Sequence, residues 1–171
     1  IKPFNILNEI NDVFKILNIE HKKVDVDFTL NASASLNNRI INSDKDRFRQ
    51  IIINITYNAF KFTENGHVAI NAEITNSKNL KSYKNMPESF TLPSTDEVLV
   101  ISIEDTGIGI PHDKMDIIFE PFRKLNNNKT LYPGLGLGLN ISQNLVHLLG
   151  GQIWLTSQEM VGTTFYFYLP I

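Results

Sequence analysis

Three short segments constrain the fold of this chain most, because polar side chains or glycines interrupt a regular apolar pattern in each. They are residues 54–63, 104–110 and 134–139. The first lies in a run with apolar residues at helical spacing, the second ends a β-branched run, and the third opens another helical run. They make chemical sense together if they converge on one ligand. We therefore expect a fold that brings a helix, a strand end and the start of a second helix side by side.

The composition is that of an ordinary globular protein, and we treat residues 1–171 as a single domain. Hydrophobic residues make up 42 % and charged residues 20 %, and the net charge of −2 gives no electrostatic case for a nucleic-acid partner. The sequence contains no cysteine, which fits a reducing compartment. It begins at Ile1 rather than Met, so we expect a piece of a longer protein. We expect the domain to be cytoplasmic, in a parent protein that could be anchored in a membrane.

Hydrophobic periodicity gives a coarse secondary structure. The predicted helices cover residues 4–17, 44–62, about 113–118 and 137–149. The predicted strands cover residues 24–30, 39–41, 67–74, 98–104, 152–157 and 163–169. Residues 75–97 are polar, contain prolines and show no periodicity, so we interpret them as a long surface insertion.

The first segment places polar side chains along one stripe of a helix. Asn54, Asn58 and Lys61 are spaced i, i+4 and i+7. Asparagine is a poor helix-interior residue, so two of them one turn apart need a reason. One interpretation is that these polar residues form a solvated flank of the helix. The other is that an amide oxygen binds Mg²⁺, which keeps most of its ligands as water and phosphate, while the lysine faces phosphate.

The second segment ends an apolar strand at Asp105 and turns through Gly107 and Gly109. Glycines let the backbone pass close to a planar ligand, and the carboxylate can accept a hydrogen bond from an exocyclic amine. The aspartate could instead only stabilise its own turn. The sequence Asp105-Thr106-Gly107 also resembles an aspartic protease half-site. That chemistry needs two such Asp-Thr-Gly segments and this chain has one, so the protease would have to be a dimer, and the other two segments would be left unexplained.

The third segment is a glycine loop that runs into a helix. Gly134, Gly136 and Gly138 alternate with leucines before that helix. Backbone N–H groups at a helix N-terminus bind anions, and glycines let phosphate oxygens approach them. A glycine-rich stretch alone is weak evidence, because tight packing or flexibility also produces one.

Together the segments resemble the nucleotide-binding boxes of the sensor histidine kinases, within the ATPase superfamily that includes Hsp90, type II topoisomerases and MutL. Residues 54–63 resemble the N box, 105–110 and 134–139 the two glycine boxes, and 119–122 the F box. The resemblance covers essentially the whole chain. It implies an α/β two-layer sandwich, with a mixed, mostly antiparallel sheet, helices on one face, and a flexible ATP lid over residues 119–137.

The resemblance also implies residue roles. Asn58 is the Mg²⁺ ligand and Asp105 receives the adenine amine. Lys124 on the lid reaches the γ-phosphate, with Arg123 as a neighbouring candidate. Asn58, Lys61 and Lys124 form the implied catalytic set.

The resemblance implies further nucleotide contacts. Asn54 lies on the phosphate side, Phe62 at the adenine ring, and Gly107 and Gly109 in the base pocket. Gly134, Gly136 and Gly138 line the phosphates, and Leu137 between them is a further implied contact.

The implied function is that of the ATP-binding catalytic domain of a protein-histidine kinase in two-component signalling. ATP or ADP and Mg²⁺ are the expected ligands. The family phosphorylates a histidine on a separate helical-hairpin dimerisation domain and then a response regulator, and none of the four histidines here lies in that acceptor motif. The alternative is a nucleotide-binding switch module of the same fold that closes on ATP without transferring phosphate.

Overall fold

A computed structural model describes residues 1–21, 25–115, 117–120 and 138–171. Its α-helices are α1 (Ile6–Glu20), α2 (Lys45–Phe62) and α3 (Gly138–Leu148). Its strands are β1 (Lys2–Asn5), β2 (Val26–Ala32), β3 (Ile40–Ser43), β4 (Gly66–Asn76), β5 (Glu97–Asp105), β6 (Gln152–Gln158) and β7 (Gly162–Pro170). Short 3₁₀ helices lie at Ala34–Leu36, Ser77–Ser82 and His112–Lys114.

Five strands form the main sheet in the order β2-β4-β5-β7-β6. Strands β2 and β4 are parallel, and every other neighbouring pair in this sheet is antiparallel. Strands β1 and β3 form a separate antiparallel pair beside it. The predicted mixed, mostly antiparallel sheet is therefore confirmed. Within the described ranges, none of the helices combines the length and the apolar character that a membrane span requires.

The three α-helices pack against one face of the main sheet, as predicted for a two-layer sandwich. On α2 the buried side chains recur every three or four residues, and the sheet contributes the inward-facing residues of its alternating strands. Local signals set the limits of α2. The Asp44 side chain accepts a hydrogen bond from the backbone N–H of Arg47, and the Thr63 hydroxyl donates to the carbonyl of Ala59.

The other face of the sheet is covered in part by residues 77–92. Leu80 is fully buried there against Trp154 and Tyr168, two aromatic residues of β6 and β7. The indole N–H of Trp154 donates to the carbonyl of Lys84 at 3.2 Å. The segment interpreted as a surface insertion thus begins inside β4 and packs against the sheet through a small apolar cluster. Its irregular backbone explains why no periodicity marked these contacts in the sequence.

Replacing Leu80 with alanine should lower the free energy of unfolding by about 2–4 kcal/mol, because it leaves a cavity among large side chains. Urea denaturation of this variant, with the exposed neighbour Lys81→Ala as the control, checks the prediction. A loss no larger than that of the control would show that the segment does not contribute to stability.

Strands β2 and β3 each end two residues later than predicted, and two of the predicted helices need larger corrections. The first helix begins at Ile6 rather than at residue 4, because Phe4 belongs to β1 and pairs with Ile41 of β3. The helix predicted near 113–118 is instead a 3₁₀ helix at His112–Lys114 followed by turns. Three apolar residues within a six-residue stretch do not distinguish one turn of 3₁₀ helix from an α-helix.

Candidate functional site

The polar stripe of α2 lies beside its buried apolar face. Asn54, Asn58 and Lys61 are each partly exposed, whereas Ile55 and Ala59 next to them are buried. The Asn58 amide points toward the start of α3, because a Cβ built on Gly138 would lie 3.7 Å from its Nδ2. The structure therefore brings the first predicted segment against the N-terminus of the helix that follows the third.

The end of α2 contacts the glycine turn that follows β5. The carbonyl of Phe62 accepts a hydrogen bond from the backbone N–H of Ile108 at 3.3 Å. A Cβ added to Gly107 would lie 2.4 Å from that carbonyl oxygen and 2.9 Å from Oδ1 of Asp105. No other residue fits at this position without a backbone shift, so the glycine is required by close approach.

Asp105 is the last residue of β5, and its side chain faces the helices. It is only 7 % exposed, and its Oδ1 accepts the backbone N–H of Gly107 at 2.8 Å. Burial raises the pKa of Asp105 to about 6, although hydrogen bonds from the backbone N–H groups of Gly107 and Thr163 lower it in part. At neutral pH the site thus presents a fixed, ionised acceptor in a poorly hydrated position.

The hairpin between β6 and β7 holds the glycine turn from its other side. The backbone N–H of Met160 donates to the carbonyl of Ile108 at 2.7 Å. Gly109 has a φ of +68°, and a Cβ there would lie 2.1 Å from the carbonyl oxygen of Gln158. Glycine is needed here both for its backbone conformation and for this contact. The turn is consequently clamped between α2 and the hairpin.

Two hydroxyl residues of this hairpin lie beside Asp105, and neither was predicted from the sequence as a site residue. Thr163 lies directly opposite Asp105 in the β5–β7 pairing, and the Ser157 hydroxyl contacts the Thr163 hydroxyl at 2.9 Å. No local motif marks Ser157, and Thr163 lies in a stretch, residues 162–170, whose resemblance to the family's C-terminal end gave it no role. Only the register of two strands far apart in the sequence identifies them.

The predicted phosphate and ring contacts, Lys61 and Phe62, lie together at the end of α2. The Lys61 ammonium lies 5.1 Å from the centroid of the Phe62 ring. Such a contact is a cation–π interaction, and it joins the predicted phosphate contact to the predicted ring contact. Both side chains are partly exposed.

Phe119, from the segment that resembles the F box, anchors the start of the predicted lid. Its carbonyl accepts a hydrogen bond from the Asn140 side chain of α3 at 2.9 Å, and its ring meets Phe165 edge-on with centroids 6.3 Å apart. Four other predicted site residues and most of the predicted lid lie outside the described residues; these site residues are Lys124, Gly134, Gly136 and Leu137.

Comparison with known proteins identifies a family. Residues 43–171 match the family of histidine kinase-, DNA gyrase B- and HSP90-like ATPases. The chain is 36 % identical over 173 residues to hybrid signal transduction histidine kinase A of Dictyostelium discoideum, covering 98 % of this chain and 7 % of that protein. It is 33 % identical to the signal transduction histidine-protein kinase BarA of Escherichia coli (strain K12), covering 99 % of this chain and 17 % of that protein. The chain thus spans less than a fifth of these relatives.

Solved structures agree with this assignment. The catalytic domain of histidine kinase ThkA, in a nucleotide-free form, superposes with a TM-score of 0.71 at 26 % identity, covering 99 % of this chain and 94 % of that one. Full-length ShkA in complex with AMPPNP superposes with a TM-score of 0.72 at 26 % identity, covering 98 % of this chain and 30 % of that one. The chain belongs to the family of histidine kinase-, DNA gyrase B- and HSP90-like ATPases, as a histidine kinase ATP-binding catalytic domain.

Proposed function

We propose that this chain binds Mg-ATP and donates its γ-phosphoryl group to a histidine on a separate helical-hairpin domain of the same parent protein. The observation that carries the proposal is the arrangement at the end of β5. A buried carboxylate, Asp105, is held by backbone N–H groups beside a turn in which Gly107 and Gly109 admit no side chain. On the same side of the sheet, Asn58 lies near the N-terminus of α3.

The base end of the ligand is assigned to Asp105. Its ionised carboxylate can accept a hydrogen bond from the exocyclic amine of adenine, and the glycines of the turn beside it would let the ring approach the backbone. Guanine presents a carbonyl at the corresponding position and would oppose the carboxylate. We therefore expect a preference for adenine nucleotides.

The phosphate end is assigned to α2 and the start of α3. Asn58 offers an amide oxygen, which suits Mg²⁺, and Asn54 and Lys61 lie along the same stripe. In the described ranges, no three His, Cys, Asp or Glu side chains are grouped to hold a metal ion by themselves. A single amide ligand fits an ion that shares the nucleotide's phosphates. When bound, Mg²⁺ would neutralise part of their charge.

A phosphoryl donor of this kind needs no nucleophile of its own, because phosphoryl transfer depends mainly on positioning and charge neutralisation. The acceptor histidine would come from another part of the parent, as would the transfer to a response regulator. Two of the chain's own histidines have structural surroundings. The His21 ring stacks on Phe60 with centroids 5.3 Å apart, and His67 lies 3.5 Å from the carboxylate of Glu104.

The proposal is tested by incubating this domain with the parent's helical hairpin and γ-labelled ATP. Acid-labile, base-stable label should appear on the hairpin, and a hairpin whose acceptor histidine is replaced should remain unlabelled. Binding of ATP without transfer to the hairpin would reject the kinase assignment and favour a non-catalytic switch module. Failure to bind any nucleotide would reject both.

Nucleotide binding should depend on pH through Asp105. Because the pKa of its carboxyl is raised to about 6, the accepting form is lost as the pH falls through that value. If only the ionised form binds adenine, affinity at about pH 5 should be roughly tenfold lower than at neutral pH. Calorimetric titrations over this range measure the change. The Asp105→Asn variant corrects for titration of the phosphates, and equal pH slopes in both proteins would contradict the prediction.

A further inference from the structure

Ser157 is a hydrogen-bonding centre at the end of β6. Its Oγ accepts the backbone N–H of Ile110 at 2.8 Å, contacts the carbonyl oxygen of Gly162 at 2.9 Å, and contacts the Thr163 hydroxyl at 2.9 Å. One side chain therefore joins the glycine turn to the first two residues of β7. No local pattern in the sequence singles it out.

The Ser157 hydroxyl can donate its proton to only one of its three neighbours, the Gly162 carbonyl. A serine hydroxyl has one donor and two acceptor lone pairs. A carbonyl oxygen can only accept, so the contact with Gly162 uses the serine proton. The contact with Thr163 must then use the threonine proton, and Ser157 accepts it. With the N–H of Ile110 as its second donor, Ser157 uses all three of its hydrogen-bonding positions.

This arrangement determines what Thr163 can offer to a ligand. Thr163 is paired with Asp105 in the β5–β7 register, so both side chains lie on the same face of the sheet. It is 6 % exposed, and its backbone N–H is bonded to the Asp105 carboxylate. With its proton committed to Ser157, the Thr163 hydroxyl has only acceptor lone pairs left, next to an acceptor-only carboxylate.

We propose that Ser157 is a specificity-determining residue, because it fixes the Thr163 hydroxyl as an acceptor and so makes the base pocket selective for an exocyclic amine. The inference rests on the proposed nucleotide site. Two adjacent acceptors match the two N–H groups of adenine's amine. The carbonyl of guanine is itself an acceptor and finds no donor there. Without the hydrogen bond to Ser157, the Thr163 hydroxyl could rotate and donate its proton to the guanine carbonyl.

The test compares the dissociation constants of ATP and GTP, measured by calorimetry, in the wild-type protein and in Ser157→Ala. The alanine releases the threonine proton, which can then donate to guanine. Because a neutral hydrogen bond changes affinity by about 2- to 12-fold, we expect the preference for ATP over GTP to fall by roughly that factor. Ser157→Thr, which keeps the hydroxyl, should restore the preference. Thr156→Ala, which removes a hydroxyl from the opposite face of β6, should leave it unchanged.

The ratio separates this role from a structural one. If Ser157 only supports the turn, the alanine will weaken both nucleotides equally and the ratio will stay constant, which overturns the inference while the proposed function stands. If the wild-type protein binds neither nucleotide, the inference falls together with the proposed function. Should Ser157→Ala fail to fold, Thr163→Val removes the same acceptor with little change in shape. An unchanged ratio in that variant also overturns the inference.

Discussion

Replacing Asn58 with alanine is expected to lower phosphoryl transfer from ATP to the parent's hairpin by about 100-fold or more, because the variant lacks the proposed ligand of the ion that neutralises the phosphates. The loss should appear in the Mg²⁺-dependent part of ATP binding, while ADP binding without Mg²⁺ changes less. The apolar face of α2 is untouched, since Asn58 lies on the flank beside Ala59. Alanine is also the better helix former, so thermal stability without nucleotide should stay the same or rise slightly.

The matched control is Gln50→Ala, which removes an exposed amide from the same helix about two turns earlier. It should leave both transfer and Mg²⁺-dependent binding unchanged. Radiolabel transfer to the hairpin, calorimetry with and without Mg²⁺, and thermal melts measure the three quantities. A variant that melts well below the wild type would identify Asn58 as a structural amide, and one with intact transfer would remove it from the catalytic set.

The parts of the fold that local signals specify could be predicted from the sequence. The predicted limits of α2 differ from the observed ones by a single residue, because an N-cap side chain at Asp44 and a terminating Gly66 lie in the sequence itself. The central strand β5 was predicted because β-branched residues dominate it, and it occupies the middle of the sheet. The core face follows from the same periodicities.

Features that depend on long-range contacts could not be predicted in this way. The packing of Leu80 on Trp154 joins an irregular segment to a strand more than 70 residues later, and no pattern connects the two. The pairing of Asp105 with Thr163 likewise depends on strand register, which is set by the assembled sheet rather than by either strand alone. Thr163 and Ser157 were therefore missed, although Asp105 was identified from its own turn.

Individual side-chain roles fall between these cases. Helical spacing predicted one stripe of α2 for Asn54, Asn58 and Lys61, and the structure shows that these side chains are partly exposed and that Asn58 lies near the start of α3. Helical spacing was enough for the stripe. That Gly138 of α3 lies next to this stripe was not predictable from spacing, because the contact depends on how two helices pack on the sheet.

Asp105→Asn is expected to weaken ATP binding by roughly 10- to 150-fold, the cost of losing one hydrogen bond to a charged acceptor. The amide oxygen can still accept the N–H of Gly107, but its NH₂ group can then face the adenine amine, so that two donors oppose each other.

The folding stability of Asp105→Asn, in contrast, should stay the same or rise at neutral pH. The pKa of Asp105 is higher in the folded protein than its ordinary value, so burial of the ionised carboxylate costs stability at neutral pH, and this cost fades as the pH falls from about 6 to about 4. A neutral asparagine avoids that cost, so the variant without nucleotide should unfold at the same or a higher temperature at neutral pH and lose this advantage in acid. Calorimetry with ATP and melts across the pH range test both halves, and a variant that binds ATP like the wild type would remove Asp105 from the base site.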